Sequence, residues 1–285
     1  MPVDLTPGPS PQLRRGVPEG RSEVKILFLG DIVGKPGRQG VQALLPALRQ
    51  ELKADIVLAN VENLAHGKGM TTSTLSEVMA AGVDIGTGGN HTFSKPEANE
   101  LLANPKYNLV RPENFGSSYP GQGIKTFTVG QKTVMVINLL GQHGMPFEPV
   151  ESPFKVMERW LGETHEISDA IIVDLHAEAT SEKVAMGWYL DGKVSLVVGT
   201  HTHVPTADAR ILPQGTAFVT DLGMTGLRDS SLGVDKNMAL ERFLNGQVVA
   251  FDIPEHGLVA LNGVLVKINH GKATSIERIY REVEV

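Results

Sequence analysis

The hydrophobic residues of the chain form short unbroken runs, separated by segments in which they recur at helical spacing. Unbroken apolar runs are typical of strands that are buried on both faces of a sheet. The run at 24–30 predicts such a strand, and the mainly apolar segments at 55–61, 83–87, 170–175 and 194–199 predict further strands. Helical spacing predicts helices at 37–53, 96–102, around 156–161 and around 238–244.

The second half of the chain carries signals for antiparallel strands. Segments 124–129 and 133–139 flank a Gly-Gln pair at 130–131, which predicts a hairpin, and a further hairpin is predicted over 247–268. Strands that alternate with helices, followed by antiparallel pairs, predict an α/β fold in which mixed sheets form a sandwich flanked by helices.

Two local signals concern the helices. Thr74 to Glu77 matches a capping box, so a short helix is predicted to begin there and to end at Gly82. Pro46 lies inside the predicted helix 37–53 and is expected to disturb its early part, because proline lacks the backbone N–H.

The first 22 residues differ from the rest of the chain. They contain five prolines among glycine and polar residues and lack the apolar centre of a signal peptide. We therefore predict a flexible extension at 1–22 and a single domain at 23–285. No run approaches the roughly 20 apolar residues that a membrane-spanning helix needs, so we expect a cytoplasmic protein that makes no membrane contact.

Composition narrows the chemistry. The chain contains no cysteine, which excludes disulfides, thiolate metal sites and a cysteine nucleophile. Any metal must be held by His, Asp, Glu and Asn side chains, a set that suits Mn, Fe, Zn or Mg. The net charge is −6 and basic runs are absent, which argues against extended nucleic acid as a partner but leaves a small nucleotide open.

Polar residues follow five of the predicted strands directly. They are Asp31, Glu62, Asn63, Asn90, His91, His176, His201 and His203. Carboxyl ends of neighbouring strands line the same crevice, so these residues converge if the five strands lie side by side. His201 and His203 are two apart, and in an extended segment both imidazoles would face one point.

Taken singly, each residue has an ordinary structural explanation. Asp31 is a common type of turn residue, and a lone His176 is more often hydrogen-bonded within a core than bound to a metal. The H-x-H pair occurs by chance about as often as by function. His176 and Glu178 match the H-x-E of zinc deaminases, but the P-C-x-x-C that those enzymes need is absent. The five strand ends together are unlike a chance arrangement.

Phosphoester chemistry explains this set of residues. Two divalent cations can hold a bridging hydroxide and clamp phosphoryl oxygens. Such a pair needs a bridging carboxylate, for which Glu62 is the candidate, and neutral His and Asn ligands that keep it electrophilic. His91 lies beside Asn90, and its side chain titrates near neutral pH, so it is the candidate for the general acid.

The motifs resemble those of the calcineurin-like metallophosphoesterases, and most closely the YmdB-like bacterial subfamily. The resemblance covers the chain from Val24 onward. It rests on the segments GDIVGKPG (30–37), ENLAHGKG (62–69), GNHTF (89–93), VRPENF (110–115), DLHAEATSEK (174–183), VVGTHTHVPTAD (197–208) and TDLGMTG (220–226).

The resemblance implies a four-layer α/β/β/α sandwich with two mixed sheets and a dimetal centre at the sheet edges. One metal would take Asp31, Glu62, Asn63 and His203, and the other Glu62, Asn90, His176 and His201, with His91 as the acid. The superfamily usually has D-x-H after its first strand. This chain has Asp31-Ile32-Val33, and Asn63 would replace the missing histidine.

The resemblance also implies a reaction and its components. Subfamily members are associated with phosphodiesterase action on small cyclic nucleotides such as 2′,3′-cyclic AMP, with two iron or manganese ions per subunit, and with homo-oligomers. Zinc and magnesium are alternative metals. Asp174 and Asp221 are further candidates, either for orienting ligand histidines or for a purely structural role.

Two other functions remain open from the sequence. The first is a regulatory protein that senses a nucleotide or RNA through the metal site without turnover, although such a sensor has no need of His91. The second is a phosphomonoesterase or an RNA phosphodiesterase that uses the same site.

Overall fold

The computed structural model describes residues 23–146, 151–163, 168–246 and 252–285. The predicted extension at 1–22 lies outside these ranges, so the domain boundary stays a prediction. In the described residues, no helix combines the length and the apolar character that crossing a membrane requires.

The described residues form twelve strands and six α-helices. The strands are β1 (Val24–Ile32), β2 (Ile56–Asn60), β3 (Ile85–Thr87), β4 (Ile124–Val129), β5 (Lys132–Leu140), β6 (Ala170–His176), β7 (Leu196–Thr200), β8 (Arg210–Ile211), β9 (Ala217–Val219), β10 (Met224–Leu227), β11 (Leu258–Asn269) and β12 (Lys272–Glu284). The helices are α1 (Gly34–Leu52), α2 (Thr72–Ala80), α3 (Glu97–Ala103), α4 (Pro153–Leu161), α5 (Thr180–Leu190) and α6 (Lys236–Asn245).

The strands form two mixed six-stranded sheets. The first has the order β12-β11-β10-β1-β2-β3, and the second has the order β4-β5-β6-β7-β9-β8. β1 pairs in parallel with β2 and, at its end, with β10, while its earlier residues pair antiparallel with β11. In the second sheet β5, β6, β7 and β9 run parallel.

Three apolar layers hold the sheets and helices together. Phe28 and Leu58 pack against Val136 and Ile172 between the two sheets. On the outer face of the first sheet, Leu27 and its neighbours pack against α1, α2 and α3. Residues of α4 and α5 cover the outer face of the second sheet. Helices therefore flank two packed sheets, and the predicted four-layer α/β/β/α sandwich is confirmed.

Two predictions about helices are wrong in detail. Pro46 lies within an unbroken α1. Pro46 and Gln42, whose carbonyl loses its helical donor, are both exposed, so water can satisfy that oxygen. The capping box is formed by Thr71 and Thr74, whose hydroxyls each accept a backbone N–H of the other residue, so α2 begins earlier than predicted.

The first part of the predicted hairpin at 247–268 lies outside the described residues, since 247–251 are not among them. Its second part is β11, which pairs along its length with β12. The turn between them has positive φ at both His270 and Gly271, as a two-residue hairpin turn requires. β12 is a sheet-edge strand rich in charged residues, so it lacks the apolar run that marks the other strands.

Candidate metal centre

The predicted site residues meet where the two sheets come together. β1, β2 and β3 belong to one sheet, and β6 and β7 belong to the other. The expectation that five strands lie side by side is therefore wrong, because the site forms between sheets rather than along one edge. The sheets pack by their inner apolar faces, which brings the carboxyl ends of both sets of strands together.

Glu62 lies at the centre of this group and is fully buried. Its Oε2 atom accepts the backbone N–H of His91 at 2.8 Å. Its Oε1 atom lies 2.9 Å from Nε2 of His176, within ion-pair distance of the ring when it is protonated. A buried carboxylate is costly unless a positive charge lies beside it, and a bound cation could replace the protonated ring in that role.

His176 and His201 lie close to this oxygen. Nε2 of His176 is 3.0 Å from Oδ1 of Asn90 and 3.1 Å from Nδ1 of His201. Ligand atoms of Glu62, His176 and His201 all lie within 4.8 Å of one another. Glu62, Asn90, His176 and His201 thus form one compact group of donor atoms.

Asp31, Asn63 and His203 form a second group beside the first. Nδ2 of Asn63 lies 3.3 Å from Oδ1 of Asp31 and 3.4 Å from Nε2 of His203. Asp31 Oδ1 is also 3.8 Å from His203 Nε2 and 3.9 Å from His176 Nδ1. A metal would need the amide oxygen of Asn63, which a half-turn of the side-chain amide brings to the same place.

The backbone of the H-x-H pair is not extended. His201 has φ 101° and His203 has φ 65°, and residues other than glycine rarely adopt such positive φ values. The prediction that both rings face one point is therefore wrong. His201 faces His176, while His203 faces Asp31 and Asn63, so each group of donors receives one histidine.

Two histidines have partners that fix which ring nitrogen is free. Nδ1 of His203 lies 2.9 Å from the carbonyl oxygen of Leu232, to which it donates as an N–H. Nδ1 of His176 lies 2.9 Å from the Thr200 hydroxyl, which in turn donates to Asp174 Oδ1 at 2.8 Å. In both residues Nδ1 is engaged by a partner, so Nε2 is the nitrogen that could bind a metal, in His176 after it has lost its proton.

Asp174 and Asp221 act at different places. Asp174 reaches His176 through Thr200, which is the arrangement that an orienting residue would need. Asp221 accepts from the backbone N–H and hydroxyl of Thr202, between the two histidines, and pairs with Lys183. Thr200 and Lys183 both lie within the quoted motifs, but no local sequence pattern distinguishes them as functional residues.

Burial and neighbouring charges shift the protonation of these groups in opposite directions. Burial disfavours the charged ring of His176, but the carboxylates of Glu62, Asp31 and Asp174 outweigh it and raise its pKa to about 9. Burial and the charge of His176 lower the pKa of His201 to about 3. Burial raises the pKa of Asp174 to about 7.

His91 lies beside the donor groups, as its place next to Asn90 in the sequence predicts. Its side chain is half-buried, and burial lowers its pKa despite the opposing charge of Glu62. Nδ1 lies 3.5 Å from the Ser94 hydroxyl, at the limit of a hydrogen bond. The His91 ring therefore lies close enough to Glu62 for their charges to interact.

The residues present fit a metal centre. Asp31 and Glu62 are fully buried, and no lysine or arginine of the described ranges forms an ion pair with either. A Cβ atom on Gly89 would lie 2.5 Å from Glu62 Oε2 and 2.4 Å from His176 Cδ2, so glycine is needed for these ligands to converge. Carboxylate, imidazole and amide donors together suit Mn, Fe or Zn.

Comparison with known proteins places the chain in one protein family. The sequence model of the family described as YmdB-like protein matches residues 27–279, and the chain belongs to this family. It is 45% identical over 258 residues to the 2′,3′-cyclic-nucleotide 2′-phosphodiesterase of Bacillus subtilis (strain 168), an alignment that covers 90% of this chain and 96% of that protein.

Two solved structures have the same fold over nearly their whole length. A hypothetical protein from Thermus thermophilus superposes with a TM-score of 0.84 at 37% identity, covering 91% of this chain and 99% of the other. A novel phosphatase from Mycoplasma pneumoniae superposes with a TM-score of 0.84 at 36% identity, covering 92% and 94%.

Proposed function

We propose that this protein is a metal-dependent phosphodiesterase that opens 2′,3′-cyclic nucleotides such as 2′,3′-cyclic AMP. The observation that carries the proposal is the fully buried carboxylate of Glu62, which lies between two groups of metal-binding side chains and accepts the backbone N–H of His91. The Bacillus subtilis relative, which is named for this activity, supports the choice of substrate.

Two divalent cations per subunit would occupy the two groups of donors, and iron or manganese are the preferred candidates. Asp31, Glu62, Asn63 and His203 would hold one, and Glu62, Asn90, His176 and His201 would hold the other. When bound, the pair would activate water and neutralise the charge on the phosphoryl oxygens. Thr200 and the carbonyl of Leu232 would keep Nε2 of His176 and His203 directed at the cations.

His91 would serve as the general acid. Opening the cyclic phosphate breaks a P–O bond to the ribose, and the departing oxygen needs a proton because an alkoxide is a poor leaving group. The lowered pKa of His91 makes its protonated ring a stronger acid. Glu62 accepts the His91 N–H and so fixes the backbone that carries this ring.

The chemistry also defines the product. Cleavage of the 2′ ester, the bond in the name of the Bacillus subtilis relative, leaves the phosphate on the 3′ oxygen. We therefore expect a nucleoside 3′-monophosphate. The net charge of −6 favours a single nucleotide over a long nucleic-acid strand.

Product analysis tests the proposal. Purified protein is incubated with Mn²⁺ and 2′,3′-cyclic AMP, and the nucleotides are separated by chromatography. Formation of 3′-AMP, with little turnover of 3′,5′-cyclic AMP and no further hydrolysis of 3′-AMP, is the expected result. Stable binding without product would identify a sensor, and release of inorganic phosphate from 3′-AMP would identify a phosphomonoesterase.

A further inference from the structure

A second charged pair lies behind the metal centre and takes no part in the proposed chemistry. Lys183 on α5 and Asp221, which follows β9, are each 1% exposed, and Nζ lies 2.6 Å from Oδ2. Replacing a buried ion pair with apolar residues is often neutral or stabilising, so such a pair is weak evidence for stability alone. Its contacts therefore indicate what it does.

Asp221 holds the loop between the two histidine ligands. Its Oδ2 atom accepts the backbone N–H of Thr202 at 3.2 Å and the Thr202 hydroxyl at 2.9 Å. Thr202 lies between His201 and His203 in the sequence. The Asp221 carboxylate therefore binds the loop midway between these two histidines, each of which belongs to a different group of donors.

This loop needs such a restraint. His201 and His203 both have positive φ, a conformation that is strained for a side chain other than glycine. Strained backbone persists only where the surrounding structure over-determines it. The two bonds from Thr202 to Asp221 supply that restraint at the residue between them.

The other oxygen of Asp221 reaches the opposite sheet. Oδ1 accepts the N–H of Gly223 at 2.8 Å, and the Gly223 carbonyl accepts the N–H of Asp31 at 3.2 Å. A Cβ atom on Gly30 would lie 1.7 Å from that carbonyl oxygen, so the approach depends on glycine there. The Asp221 carboxylate is thus connected through Thr202 to His201 and His203, and through Gly223 to Asp31.

The side chain of Lys183 passes Gly199, which leaves room for it, to reach Asp221. A Cβ atom on Gly199 would lie 2.7 Å from Cδ of Lys183 and 1.8 Å from the carbonyl oxygen of Thr220. The glycine in β7 therefore lets the lysine stem pass beneath the strand that leads into the histidine loop. The ammonium then compensates a carboxylate that is otherwise bonded to neutral donors.

We propose that Lys183 and Asp221 are positioning residues that hold His201 and His203 in the geometry required for metal binding. The proposal rests on the proposed metal centre. It also makes a separate claim about the metal-free protein, namely that the ion pair keeps the loop at 200–206 rigid before any cation arrives.

The test compares Lys183→Met, which keeps the apolar stem and removes the charge, with Arg49→Met. Arg49 forms a partly buried pair with Asp84 at 2.9 Å between α1 and the segment before β3, so it is a matched control away from the site. Hydrogen exchange is measured on metal-free protein, and Mn²⁺ affinity is measured by calorimetry.

We expect Lys183→Met to accelerate exchange in peptides spanning 200–206 and to weaken Mn²⁺ binding by about 10-fold, the lower end of the range for residues bonded directly to a metal ligand, because Lys183 acts through Asp221 and Thr202. Arg49→Met should change neither quantity. Wild-type exchange and affinity in folded Lys183→Met would overturn the proposal.

If Lys183→Met fails to fold, Thr202→Val tests the proposal instead. Thr202→Val removes only the hydrogen bond from the Thr202 hydroxyl and leaves the ion pair intact. Faster exchange at 200–206 and weaker Mn²⁺ binding would support the proposal, and wild-type values would refute it. Failure of wild-type protein to bind Mn²⁺ or to form 3′-AMP would instead defeat the proposed function, while the exchange comparison would still decide the role of the pair in the loop.

Discussion

Glu62 and His91 are joined by a hydrogen bond in which the His91 backbone N–H donates to Glu62 Oε2 at 2.8 Å. The residue proposed to bind both cations therefore also positions the residue proposed to donate the proton. A substitution of His91 should therefore affect only the proposed acid function, whereas a substitution of Glu62 should affect both metal binding and the acid function.

Replacing Glu62 with glutamine should remove both metal binding and activity. The amide keeps the shape of the side chain but lacks the negative charge that two cations need. We expect hydrolysis of bis(p-nitrophenyl) phosphate to fall by more than the roughly 100-fold typical of losing a partner of a metal ligand, with the fold retained by circular dichroism. Glu241→Gln, at an exposed position on α6, is the control. Full activity in Glu62→Gln would contradict the assignment.

Replacing His91 with glutamine should affect substrates unequally. Loss of a general acid typically costs about 10²- to 10⁴-fold in rate, and we expect a loss of that size for 2′,3′-cyclic AMP. The loss should be much smaller for bis(p-nitrophenyl) phosphate, because p-nitrophenolate departs without a proton. Steady-state kinetics and metal analysis provide the measurements.

The metal content of His91→Gln should equal that of the wild type. His270→Asn, in the exposed turn between β11 and β12, serves as the control because asparagine tolerates the positive φ found there. Equal rate losses on both substrates would rule out the acid role.

Metal affinity should rise with pH. The pKa of His176 is raised to about 9, so in metal-free protein the ring carries a proton at neutral pH, and a cation must displace it. The pKa of His201 is lowered to about 3, so that ring is already neutral and releases none. We therefore expect affinity to increase between pH 7 and the pKa of about 9 and then to level off.

Calorimetry in buffers of different ionisation enthalpy gives the number of protons released. At pH 7.5 we expect about one proton from His176, and His176→Asn should abolish that release. Affinity that is independent of pH across this range would contradict the prediction.

Replacing Thr200 with valine should weaken metal binding without removing a ligand. The hydroxyl connects Nδ1 of His176 to Asp174, and valine breaks that connection while keeping the volume. We expect Mn²⁺ affinity to fall by about 10- to 100-fold. Thr216→Val is the matched control, since Thr216 is equally buried and bonds to the carbonyl of Val194 away from the site. Equal affinity in the two variants would show that Thr200 has no orienting role.

Much of the fold was predictable because buried strands have a strong local signal. The runs before Asp31, Glu62 and His176 are mainly apolar, and each corresponds to an observed strand. β12 was missed because an edge strand needs apolar residues on one face only. Pro46 was misjudged because the cost of a proline depends on whether water reaches the freed carbonyl.

The identity of the candidate ligands was also predictable, since polar residues directly after buried strands are few. The homo-oligomer, the cytoplasmic location and the boundary at residue 22 stay predictions. The ligand assignments stay proposals that the mutations above are designed to test.

The amino-acid sequence alone specifies which residues are available to this site, because strand periodicity and residue chemistry are local properties. How those residues are grouped depends on the tertiary structure. The packing of two separate sheets brings Glu62 to His176, and the positive φ of His201 and His203 sends neighbouring histidines to different donor groups. These relationships depend on contacts between residues far apart in the chain, such as Asp221 with Lys183 and Thr202, which no local pattern encodes.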